Sequence, residues 1–105
     1  MRALRLILAV AGCLCAASPA LPADYWVRGE ATVAGAGIPA ACPQVGTRFS
    51  AVVTVNNAAT CNAHATCTSA KVQAVNNWVQ QLNQRQLGQC AQYVQQAQAP
   101  CSYHC

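Results

Sequence analysis

Six cysteines constrain this chain more than any other feature: Cys42, Cys61, Cys67, Cys90, Cys101 and Cys105, all downstream of an apolar N-terminal stretch. An even set of cysteines in a short exported chain reads as a disulfide framework. The size of residues 24–105 points the same way. A domain this small buries too little apolar surface to offset roughly 1.5 kcal/mol of ordering entropy per residue, so covalent staples are expected.

Export is read from the N-terminus. Met1 to Arg5 supplies a short cationic region, Leu6 to Ala17 an apolar stretch, and Ser18 to Ala23 small residues and prolines ahead of a cleavage site. Residues 1–23 are therefore expected to be a signal peptide, cut after Ala23 or, in the alternative, after Ala20. A competing reading takes Val10-Ala11-Gly12-Cys13 as a lipobox, with Cys13 lipidated. Against it, the apolar stretch before Cys13 is short and Cys15 would be left without a partner. The destination is secretion or the periplasm.

The chain is 54% hydrophobic and only 8% charged. Outside the signal no apolar run approaches the roughly 20 residues of a transmembrane helix. Past residue 23 the charges are Arg28, Arg48, Lys71 and Arg85 against Asp24 and Glu30. Four scattered cations make neither a phosphate-tracking stripe for nucleic acid nor the cationic face of a membrane-active peptide.

The expected fold is a single small α+β domain over residues 24–105, two antiparallel strands followed by a helix pair. In the first strand, about 25–33, Tyr25, Val27, Ala31 and Val33 point one way and Trp26, Arg28, Glu30 and Thr32 the other. In the second, about 47–55, Phe49, Ala51, Val53 and Val55 alternate with Arg48, Ser50 and Thr54. Between them Ala34 to Gly46 is a Gly/Ala/Pro-rich loop pinned by Cys42. Asn56-Asn57 reads as a turn. Thr68 or Ser69 caps a helix over about 69–86, with Val72, Val75, Val79 and Leu82 at helical spacing, flanked by Trp78. Gly88 marks a stop or kink, and Leu87, Cys90, Ala91, Val94 and Ala97 continue a helical stripe over about 88–98. Ten glutamines between Gln73 and Gln98 would coat the helix faces with amides, as a solvated surface or as an interaction surface.

If the two helices run antiparallel, Cys67 before the first lies near Cys101 after the second. Cys61 with Cys105 and Cys42 with Cys90 then complete a set. Metal binding is the alternative use of these residues: Cys61-x2-His64-x2-Cys67 and Cys101-x2-His104-Cys105 offer sulfur and imidazole at ligand spacings for Zn or Cu. An oxidising compartment favours disulfides instead, leaving His64 and His104 as the remaining metal candidates and no cofactor expected.

Catalysis is not expected. Asp24 and Glu30 are the only acidic side chains and both sit near the start of the domain. No local pattern around Ser50, Ser69 or Ser102 makes a nucleophile elbow or an oxyanion hole. The expected function is a small exported, disulfide-stabilised binding or interaction protein with no catalytic activity, its partner a protein or an envelope component. The alternatives are an extracytoplasmic Zn/Cu-binding protein and a lipid-anchored structural protein of the envelope. Tyr25, Trp26 and Tyr103 are the contact candidates, with Trp26 alternatively covering the strand pair against a helix. An unpaired edge of the sheet could take a partner strand or a second copy of the chain.

Overall fold

The computed structural model describes residues 22–105; the greater part of the expected signal peptide, with Cys13 and the cut after Ala20, lies outside the described residues. The elements in chain order are β1 (Ala23–Val33), β2 (Arg48–Ala58), α1 (Ala63–Gln84), a 3₁₀ segment (Gly88–Tyr93), β3 (Val94–Gln96) and β4 (Ser102–His104). The domain is a small α+β unit in which one long helix lies on one face of a four-stranded antiparallel sheet.

Alternation builds the first two strands, as expected. Tyr25, Val27, Gly29, Ala31 and Val33 of β1 are all buried, and the residues between them are exposed or half-buried. Their partners across the ladder, Val55, Val53, Ala51 and Phe49, turn to the same side. A one-residue slip would carry every one of these side chains to the opposite face, so the pattern holds the register. β2 continues to Ala58, through the expected Asn56-Asn57 turn, with Asn57 in the left-handed region at φ 56°.

The second half of the chain departs from the helix pair. Only one substantial helix forms, and it starts at Ala63 rather than near residue 69. Its N-cap is Asn62, whose side-chain oxygen accepts from Ala65 N at 3.3 Å. That satisfies one of the orphan N–H groups of the first turn. The added turns are tied to the sheet by the Cys67–Cys101 disulfide and by a 3.0 Å hydrogen bond between the Thr66 and Tyr25 hydroxyls.

The helix ends at Gln84, four residues before Gly88. Gln86 takes a left-handed conformation at φ 62°; its N–H donates to Asn83 O at 3.0 Å and the Leu87 N–H donates to Leu82 O at 2.8 Å. This is a Schellman cap with glutamine in the place glycine usually holds. Beyond it, the stripe read as a second helix becomes a 3₁₀ segment and then strand. Val94–Gln96 and Ser102–His104 pair antiparallel with the second edge of β1, at residues 31–33 and 26–28. Ala97 N bridges the gap by donating to Glu30 O at 2.9 Å. The physical reason is the open edge of β1. Its N–H and C=O groups need partners beneath a packed helix, and this segment supplies them.

The buried stripe of α1 is also rotated from the expected one. Ala70, Ala74, Trp78 and Leu82 face the sheet, while Val72 is 40% exposed. Gly29 explains the alanines. A Cβ built at Gly29 would stand 2.5 Å from Lys71 N and 2.6 Å from Ala70 C, so the helix backbone crosses the strand where no side chain fits. On one side of this crossing Tyr25, Val27 and Ala70 form a small core. On the other, Ala31, Val33, Cys42, Ala74, Trp78, Leu82 and Cys90 form a larger one, with the Trp78 and Phe49 rings stacked at 5.8 Å.

Three disulfides staple this arrangement: Cys42–Cys90, Cys61–Cys105 and Cys67–Cys101, with Cα separations of 5.5, 5.8 and 5.8 Å. They are the set inferred from an antiparallel helix pair that does not exist. The inference needed only that the segments flanking the long helix return to its start, and strands satisfy that as well as helices.

Candidate binding groove

The two ends of the second β1 edge have different surroundings. β3 sits near the far end of α1, whereas Pro100, Cys101 and β4 lie beside its first two turns. The Cys67–Cys101 disulfide holds them there. His64, Cys67 and Lys71 stand at i, i+3 and i+7 on the helix and therefore share one face. Together with Ala63, Pro100, Cys101 and Tyr103 they line a cavity of about 420 Å³, within the size range of small-ligand sites.

The floor and walls are apolar: the Ala63 and Pro100 side chains, the Cys67–Cys101 disulfide, and the Tyr103 ring. Polar groups enter from His64, Lys71 and the Tyr103 hydroxyl. Lys71 is the electrostatic feature. The sequence holds only two acidic side chains, and both are engaged elsewhere. Glu30 pairs with Arg48 at 2.9 Å, and the Asp24 carboxylate accepts from Asn57 N at 3.1 Å. Among the described residues Lys71 has no carboxylate within ion-pair distance.

Of the three aromatic contact candidates, only Tyr103 borders the groove. It is 59% exposed and pairs with Val27, which puts it on the helix side of the sheet. Tyr25 is buried at 6% exposure with its hydroxyl bonded to Thr66, so it is a core residue and not a contact residue. Trp26 does not cover the strand pair against a helix. It lies on the opposite face of the sheet, half-buried, with the His104 ring stacked at 6.3 Å and the Arg28 guanidinium 5.8 Å above it. The alternation that buries Val27 sends Trp26 and Arg28 the other way.

His64 and His104 are not brought together. One lines the groove on the helix side, and the other stacks on Trp26 on the opposite face. The cysteines of both proposed metal motifs are in disulfides, and among the described residues no three His, Cys, Asp or Glu side chains gather as a metal site would need. The ten glutamines are all exposed, but they do not coat two helix faces. Four lie on α1 and the rest on the turn, the 3₁₀ segment, β3 and the loop after it.

Sequence reasoning passed over Lys71 and Pro100. The signal for Lys71 was available: its spacing from His64 and Cys67, once a helix is started at Ala63, puts all three beside the partner of Cys67. Comparison of the chain with protein-family models, curated proteins and solved structures finds no significant match. Among the described residues no helix is long and apolar enough to cross a membrane.

Proposed function

We propose that this chain is a small exported binding protein without catalytic activity, and that its groove takes an apolar group bearing a carboxylate, as an acidic segment of a protein partner would present. The observation that carries this reading is Lys71, a cation without a carboxylate partner among the described residues, at the wall of an apolar cavity. A ligand carboxylate supplies the missing charge, and its apolar part displaces water from the Pro100, Tyr103 and disulfide surface. Three disulfides around one helix and one sheet fix the walls in advance, which lowers the entropy lost on docking. The non-catalytic reading is supported by the carboxylates: Asp24 and Glu30 are engaged away from the groove, so His64 has no acidic partner there to orient it as a base.

The test is an NMR titration of the oxidised, exported full chain with benzoate as probe, benzamide as its uncharged counterpart and benzylamine as its cationic one. Saturable shifts confined to residues 63–71 and 100–103, seen for benzoate and much weaker for the other two, are expected. Lys71 is partly exposed, so its charge is worth at most about 1 kcal/mol, and Lys71→Met should weaken benzoate about fivefold. Equal responses to all three probes, or no saturable response at the groove, would refute the proposal.

A further inference from the structure

β2 is the one long strand with an unpartnered edge among the described residues, since β1 is paired on both sides and β3 and β4 have three residues each. Natural edge strands are usually kept short, bulged, or guarded by lysine or proline. Apart from the charge of Arg48 at its first position, β2 has no such guard as far as Val55. It carries no proline or lysine, and its register with β1 is regular from Thr32↔Arg48 to Tyr25↔Val55. Which backbone groups point outward follows from one hydrogen bond. The Val33 N–H donates to Thr47 O at 3.3 Å, so odd-numbered residues of this ladder face β1. The N–H and C=O groups of Arg48, Ser50, Val52, Thr54 and Asn56 therefore face the empty edge.

We propose that this edge pairs with the same edge of a second copy, antiparallel, about a two-fold axis at Val52. The outward set is symmetric about that residue: Val52 meets Val52, Ser50 meets Thr54, and Arg48 meets Asn56. Val52 is one of the few large apolar side chains left half in water, at 50% exposure, and the axis puts it against its own copy. Charge favours the same register. Arg48 is the only charged residue of β2. The two copies of Arg48 fall about 26 Å apart along the strands, and each faces the end of the partner strand that is bonded to Asp24. A two-fold normal to the sheet leaves both helices on one face and joins the two four-stranded sheets into one. The proposal is independent of the groove, which lies across β1 from this edge.

The experiment measures the mass of the oxidised full chain in solution across concentration, by sedimentation or light scattering, for wild type, Val52→Arg and Val52→Asp. The Val52 side chain points away from α1, so each variant should keep the wild-type fold by NMR. Wild type is expected to dimerise with rising concentration. Each variant alone should be weakened about tenfold or more, because like charges meet across the axis. An equimolar mixture of the two should recover the dimer, since arginine then meets aspartate. A wild type that stays monomeric at millimolar concentration overturns the proposal. So does a dimer that survives in each variant alone, and so does a mixture that shows no recovery.

Discussion

Gly29→Ala is the most informative single change in this domain. A strand residue with ordinary backbone angles should gain from alanine, by about 0.5–1 kcal/mol, through the lost freedom of the unfolded chain. The structure reverses the sign. The new Cβ would lie 2.5 Å from Lys71 N, 2.6 Å from Ala70 C and 2.9 Å from Ala70 Cβ, against ordinary contact near about 3.5–4.0 Å. Two of these are backbone atoms of a disulfide-anchored helix, so relief requires α1 to lift by about 1 Å. A gap of that size forfeits about a quarter to a half of the dispersion energy of each contact it opens. Overpacking of this kind costs about 1–3 kcal/mol, and the loosened contacts of Ala70, Ala74 and Trp78 place this site at the upper end. The expected net loss is about 2–3 kcal/mol, a fall in Tm of roughly 10–20 °C for a domain of this length. Reversible thermal unfolding with the disulfides intact measures it. Adding Ala70→Gly should not rescue stability, because the two closest atoms remain and a helix glycine costs about 1 kcal/mol. A Gly29→Ala protein within about 0.5 kcal/mol of wild type would refute the close crossing of helix and strand.

Three further expectations test the helix start and the staples. If α1 begins at Ala63, Asn62→Ala costs about 1 kcal/mol in chemical denaturation whereas Thr68→Ala and Ser69→Ala are near neutral; a cost at Thr68 or Ser69 instead would restore the later start. Partial reduction followed by alkylation and peptide mapping should open Cys61–Cys105 first, as both its residues are exposed, and Cys42–Cys90 last, at 5% and 1% exposure. Replacing Cys42 and Cys90 by alanine removes a loop of 48 residues, worth about 4 kcal/mol in the chain-entropy account; an unchanged denaturation midpoint would contradict that.

The groove was only partly legible in the sequence. His64, the cysteines and Tyr103 could be singled out by residue type. Their convergence depended on where the helix starts, and the apolar pattern beginning at Val72 gave no hint of the six helical residues ahead of residue 69. Asn62 is a good cap by type, but asparagine is equally at home in a turn, and only the tertiary ties at Thr66 and Cys67 decide between the two.

What the sequence determined by itself is whatever depends on a local period or a count. Alternation set which face of β1 and of β2 is buried, because a period of two sends every second side chain to one side and a one-residue slip would expose them all; the pairing of Tyr25 with Val55 and Ala31 with Phe49 comes from the structure. The even cysteine set carried the expectation of three disulfides in a domain too small to rely on its core. Tertiary structure decided what depends on vacancies elsewhere in the fold. The stripe from Leu87 to Ala97 is spaced like a helix, yet it completes the sheet, because β1 had an open edge and the disulfides at Cys90 and Cys101 held the segment against it. The inward face of α1 was settled in the same way. Hydrophobic spacing nominated Val72 and Val79, but the approach to Gly29 admits only alanine, and Trp78 had to meet Phe49.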